Sequence, residues 1–407
     1  MDAFTTVEAV ARDSYGRLVA YLSARSRDVA GAEDALSEAL QTALVVWPRD
    51  GVPEKPEAWL LATARRRLID EARRTEVRDR HQPVVQLLVE EAMTLQPDEP
   101  FPDERLKLLF LCAHPAIDAA VRTPLMLQTV LGLDATRIAS AFLVAPAAMA
   151  QRLVRAKAKI RLAGIPFVLP EPAEWPARLE SVLEAIYAAY GTAWDHTLGT
   201  DPTLQGLATE AIWLGQVLVR LVPEAAEALG LLALMLHCEA RRLARRDAAG
   251  DYVPLSEQSP ALWSVPLMDA AEQLLARAAT FRTPGRFQLE AAIQSAHVHR
   301  RFTGRTEWDA ILQLYDALIG CSPTLGALVG LAAALAEASR WHEAAAVLDE
   351  IPDDAVAGYQ SYWAVRAHVL AGQGNHAVAR EAYTRAIGLS EDEAVRRFLQ
   401  RRLSGLG

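Results

Sequence analysis

Five basic side chains and no acid fall within "AMAQRLVRAKAKIR", residues 148–161. Arg152, Arg155, Lys157, Lys159 and Arg161 can each donate charge-assisted hydrogen bonds to phosphate oxygens. Residues at 100° intervals set Met149, Leu153, Ala156 and Ile160 on one helical stripe, and Ala148, Gln151, Arg152, Arg155 and Lys159 on the broadly opposite face. One face packs while the other can meet a polyanion. A solvated basic helix of an ordinary bundle fits the same residues.

Two further stretches carry patterned charge. In "AEDALSEALQTALVVW", residues 32–47, Leu36, Leu40, Ala43 and Trp47 share one face, and Glu33, Asp34, Glu38 and Gln41 the other. "PEAWLLATARRRLIDEARR", residues 56–74, presents Arg65, Arg66, Arg67, Arg73 and Arg74 with Asp70 among them. Alone, the first reads as a solvated acidic face and the second as a surface laced by intrahelical pairs. Upstream of the basic helix, "DATRIASAFL" offers Asp134 as N-cap, an apolar stripe of Ile138, Ala141 and Phe142, and then a short break before Pro146 at a favoured first helical position. Helix, tight turn and basic second helix make a helix-turn-helix. In that geometry Ala147, Ala148, Gln151 and Arg152 point at base edges, and Arg155 and Lys159 reach phosphates.

The elements that position these residues are helical throughout. Apolar residues recur at three- and four-residue spacing and strand-like alternation is almost absent, so the expected fold is all-α. Breaks occur at 47–56, 95–104 and 164–176, the second within an acidic linker and the third the major domain boundary. The chain of 407 residues has a formal net charge of -9. Residues 1–170 hold as many basic as acidic residues, so the excess negative charge belongs to residues 171–407 and the two parts suit different partners. No span for a membrane and no signal-peptide pattern is present, so a cytoplasmic protein is expected. Cys112, Cys238 and Cys321 lie too far apart for a disulfide framework or zinc knuckle, and no cofactor motif occurs. Near the C-terminus, "SRWHEAAAVLDEI" from Ser339 and "GNHAVAREAYTRAI" from Gly374 align at an offset of 35. Ser339 pairs with Gly374, Trp341 with His376, Ala344 with Ala379 and Leu348 with Tyr383, the packing pattern of tetratricopeptide repeats. "GRTEWDAILQLYDAL" from Gly304 reads as an irregular third copy.

In this order the segments resemble an RNA polymerase sigma factor of the extracytoplasmic-function type. That family carries "AEDA..EA" on a clamp-docking helix and "AWL...AR...ID..RR" on the helix that opens the minus-10 element. A linker and a helix-turn-helix for the minus-35 element follow. "DERLKLLFLCAHPAI", "MAQRLVRAKAKIRLAGIPF", "EALGLLALMLHCEARRLAR" and "GRFQLEAAIQSAHV" resemble the subgroup with a long helical extension containing tetratricopeptide-like repeats.

The resemblance implies sigma region 2 over 1–80, an acidic linker over 81–104, sigma region 4 over 105–168 and the extension over 177–407, with repeats around 300–400. It implies core RNA polymerase and promoter DNA as partners, a protein or small-molecule regulator acting on the extension, and no catalytic activity. Glu33, Asp34, Glu38 and Gln41 would face polymerase. Trp59, Arg65, Arg66, Arg67, Asp70, Arg73 and Arg74 would serve minus-10 DNA. Arg137, Ala147, Ala148, Gln151, Arg152, Arg155 and Lys159 would serve minus-35 DNA.

Some positions depart from the pattern. Arg66 stands where Asn is usual, Arg137 where Glu is common, and "VAPAAMAQ" replaces "VPEATMAQ", removing a hydroxyl at Ala148. Ala113 stands where a second Cys is frequent, so Cys112 and His114 read as core residues rather than a metal site. The other classes to weigh are a repeat scaffold whose sigma-like part no longer initiates transcription and, with no catalytic spacing to support it, an enzyme in the extension. Arg241, Arg242, Arg245 and Arg246 read as a solvated or interdomain face.

Overall fold

A computed structural model describes residues 3–76, 102–142, 144–195 and 202–406. The described residues are helical, with one isolated β-bridge between Arg246 and Tyr252 and no strand among them. The described part up to residue 217 and the part from 218 onward are two compact units. Most of the acidic linker, residues 81–101, lies outside the described residues, as do the side chains of Arg73 and Arg74.

In the first unit, α1 (Ala3–Ser26), α2 (Val29–Asp50) and α3 (Pro56–Glu76) pack pairwise. Asp28 caps α2 by accepting from the Gly31 amide at 3.2 Å. Ala32, Leu36, Ala39, Ala43 and Trp47 follow at three- and four-residue spacing and are buried, so this stripe drives α2 onto its neighbours. The break expected from residue 47 starts later: α2 runs to Asp50 and Gly51 closes it at φ 89°. Pro48 and Leu44 are both exposed, so the missing N–H bond falls on the solvent side of the last turns.

Four shorter helices follow, α4 (Arg105–Cys112), α5 (Ala119–Leu131), α6 (Ala135–Ala141) and α7 (Pro146–Leu162), and then α8 (Trp175–Asp195). α5 is their hub, packing on α1, α4, α6, α7 and α8. Cys112 is fully buried with its sulfur 3.5 Å from the Thr129 hydroxyl, and burial pushes the thiol up to about 12. His114 is half-buried instead, and its Nδ1 accepts from the Ala116 amide at 3.1 Å to close a turn. α9 (Pro202–Leu221) leads on to the second unit.

That unit stacks α10 (Ala226–Ala240), α11 (Val265–Thr280), α12 (Arg286–Val298), the single turn α13 (Arg300–Thr303), α14 (Trp308–Cys321), α15 (Leu325–Glu337), α16 (Trp341–Asp349), the single turn α17 (Asp353–Val356), α18 (Gln360–Gly372), α19 (His376–Leu389) and α20 (Glu393–Ser404). α10 is apolar around its circumference, with Leu229, Leu231, Leu232, Leu234, Met235 and Leu236 all buried, and α11 and α12 cover it. The run after α10 is not a solvated face. Arg241 is buried and bonds Gln294, Arg242 pairs with Glu239, and Arg246 pairs with Asp392 on α20's cap. Trp263 is buried beside it, against Ala240, Ala244 and Met268.

The 35-residue offset has a backbone counterpart. Gly304, Ser339 and Gly374 all adopt left-handed φ, of 75°, 62° and 81°. In the last two turns the hydrogen bonds repeat in register. Arg340 N donates to Leu335 O and Asn375 N to Leu370 O, while Ser339 N donates to Ala336 O and Gly374 N to Ala371 O. Each is the paired bonding that closes a helix through a left-handed residue. Ala344, Ala379, Leu348 and Tyr383 are buried as aligned, whereas His376 is exposed. At Gly304 the φ is in phase but α14 starts four residues later, not two, which is why that copy reads as irregular.

Ser339 bears the strain that glycine avoids at the other two turns. Ser339→Gly is expected to raise stability by about 0.5–1 kcal/mol, and Gly374→Ala to lower it by about 1 kcal/mol or more, read from urea midpoints. A second prediction concerns His237, fully buried in α10. Glu272 lies 3.5 Å from its Nε2, but burial and the nearby Arg241 charge dominate and lower its pKa to about 4. The unfolded chain therefore takes up a proton near pH 6.5 that the folded chain refuses until about pH 4. Stability should fall by about 3 kcal/mol as pH drops through that window, and His237→Leu should flatten this part of the Tm-versus-pH curve.

Candidate nucleic-acid interface

α6 and α7 pack against each other across residues 142–145. Asp134 caps α6, accepting from the Thr136 and Arg137 amides at 2.9 Å, and its second oxygen lies 3.5 Å from Arg137. Pro146 opens α7, where a missing N–H costs nothing. Met149, Leu153, Ala156 and Ile160 are buried, and Ile138 packs inside α6 with no exposure. That leaves Ala147, Gln151, Arg152, Arg155 and Lys159 exposed along one side, with Ala148 and Arg137 half-exposed. Arg155 donates to Gln151 at 3.2 Å, one turn apart. The surface offers four cations, one amide and two methyl groups, a chemistry better suited to phosphate than to discriminating bases.

Lys157 and Arg161 belong to a different side of α7. Lys157 Nζ is 2.6 Å from Glu33 Oε2, and Arg161 is 3.5 Å from Asp28. Glu33 is therefore not on an outward face: it is buried, at 8 % exposure, and burial raises its carboxyl pKa against the lowering effect of Lys157. The reason is that α7 covers the start of α2, which the periodicity of α2 alone does not encode. Asp34, Glu38 and Gln41 are exposed as expected.

On α3, Arg66 and Asp70 are exposed. Arg67 is half exposed and reaches Glu38 on α2 at 3.3 Å. Trp59 meets Trp47 edge-on at 5.5 Å, so its ring helps to seat α3 on α2. Arg65 turns inward among Leu22, Arg25, Leu68 and Ile69, with Nη2 buried and without a hydrogen-bond partner.

Comparison with known proteins places two segments of the chain in families. Residues 10–78 match sigma-70 region 2, and residues 178–279 match a family of unknown function, DUF6596. Over 382 residues the chain is 36% identical to Uncharacterized protein R00370 of Rhizobium meliloti (strain 1021), covering 92% of this chain and 90% of that protein. The protein therefore belongs to a sigma-70-like family together with that rhizobial protein. No solved structure matches it.

Arg155→Ala should weaken binding to duplex DNA of any sequence and reduce the slope of log K against log salt by about one, whereas Gln151→Ala should alter sequence preference. Fluorescence anisotropy across a salt series reads both, and an unchanged slope for Arg155→Ala would remove its phosphate role.

Proposed function

We propose that the protein is a sigma factor of the extracytoplasmic-function type, which binds core RNA polymerase and directs it to promoters by binding rather than by catalysis. The observation that carries this reading is the pairing, within one compact unit, of a sigma-70 region 2 with an exposed cationic helix behind a short turn. Asp34, Glu38 and Gln41, with Glu33 once uncovered, contact polymerase. The α3 surface around Arg66 holds unpaired minus-10 DNA, where arginines neutralise phosphate and stack on bases. α7 holds the minus-35 duplex as a helix-turn-helix. The second unit modulates this activity through a protein or small-molecule regulator, and its 35-residue turns support a tetratricopeptide-like stack. Such a protein works where polymerase and chromosome are, in the cytoplasm; no described helix is long and apolar enough to cross a membrane.

Arg66 in place of Asn and the methyl groups of Ala147 and Ala148 favour one other reading, a scaffold whose sigma-like part no longer initiates. Run-off transcription by the full chain with purified core polymerase on a genomic template library separates the two. Discrete promoter-specific transcripts that vanish on Arg152→Ala/Arg155→Ala are expected; none above core polymerase alone leaves the scaffold.

A further inference from the structure

The part of α7 farthest from the core is not its charged part. At 100° per residue, Ala147, Gln151, Val154, Ala158 and Leu162 fall on the ridge opposite the buried stripe, while Arg155, Lys159 and Arg152 lie along one flank. Val154 is 63% exposed and Leu162 82%, Ala147 is exposed and Ala158 half-exposed. Apart from Gln151, the ridge presents hydrocarbon alone. Gln151 itself is half engaged: its Oε1 accepts from Arg155 at 3.2 Å, so the amide has only its NH2 to offer a base. A lone donor finds acceptors on guanine, adenine and thymine alike. What sets thymine apart is its C5 methyl, the apolar group that a base pair shows in the major groove.

We propose that the ridge of α7 reads pyrimidine C5 methyl groups: Ala147 and Val154 pack against thymine methyls in the major groove, where 5-methylcytosine can take the place of thymine. The proposal rests on the helix-turn-helix reading of α7 above and names what that helix recognises.

Charge selects the occupant. No acid occurs between Asp134 and Glu171, and Arg152, Arg155 and Lys159 stay exposed beside the ridge, so a polyanion is held on the flank while the ridge points into its groove. Size separates a duplex from a protein partner. Protein interfaces are anchored by large side chains seated in pockets, whereas this ridge is small from Ala147 to Ala158 and its one large apolar residue, Leu162, is the last of the helix. Alanine at 147 and 148 lets the helix approach the floor of a groove about 8.5 Å deep. Ala147 and Val154 are separated by about 10 Å along the axis, which spans about three base-pair steps. The helix therefore reads two methyls about three base pairs apart, with Gln151 between them.

The test uses the full chain assembled with purified core RNA polymerase. A random-sequence duplex library is enriched by binding, and each thymine of the winning duplex is then replaced singly by deoxyuridine. That replacement deletes one methyl and keeps every hydrogen-bonding group. Affinity is expected to fall about four-fold at each of two thymines about three base pairs apart, the value of one buried methyl. At those positions 5-methyldeoxycytidine should bind about four-fold more tightly than deoxycytidine. Val154→Ser should reduce the deoxyuridine loss below about two-fold at one of the two thymines and leave the slope of log K against log salt unchanged, since it removes no phosphate contact. Arg155→Ala should do the reverse. Deoxyuridine tolerated at every thymine, or losses that Val154→Ser leaves at full size, overturn methyl reading and leave the sigma-factor reading standing. Enrichment of no sequence overturns the helix-turn-helix reading and methyl reading with it.

Discussion

The backbone contact at Gly16 sets the terms for the first unit. Only a residue without a side chain lets α1 come within reach of the Val130 carbonyl, and that approach brings the start of α2 under the far end of α7. Glu33 and Asp28 then face Lys157 and Arg161. Removing a carboxylate from water is expensive unless it is paired, so the lysine and the acid are interdependent once the helices have closed. The apolar stripe of α7 and its cationic face are consequences of helix period. Which cations of α7 stay exposed and which pair with acids at the start of α2 is a consequence of this packing.

The second unit solves a different problem with local means. A stack of helix pairs must reverse direction after each helix, and the left-handed residues at 304, 339 and 374 do so at a constant interval. Repeated turns give repeated packing: the alanines at 344 and 379 stand at the same depth below neighbouring helices. Arginines at the end of α10 are spent on tying elements of this unit together, through Gln294 and Asp392, rather than on a ligand. Contacts between neighbours suffice for stability in such stacks.

Much of this was legible in the residues alone, and the reason is periodicity. Met149, Leu153, Ala156 and Ile160 announce the buried side of α7, and Leu36, Ala43 and Trp47 that of α2, because an apolar stripe at helical spacing has to be covered. The turn at Ser339 was visible only through its match to Gly374, since serine by itself carries no left-handed signal. Trp59 and Arg65, which the resemblance assigns to minus-10 DNA, also take part in packing, and the spacing of α3 did not show it. Aromatic and arginine side chains serve packing and phosphate equally well, and their spacing does not say which.

Helix content, the cationic side of α7, the acidic excess after residue 170 and the 35-residue interval were determined by the sequence by itself, because each depends on neighbours a few residues apart or on composition. Tertiary structure alone decided that Glu33 is buried, that Lys157 turns away from the face of Arg155 and Lys159, and that Gly16 is a contact point rather than a weak place in a helix. These are outcomes of packing between segments more than a hundred residues apart, and a helix's own period shows which side is charged but not what comes to cover it.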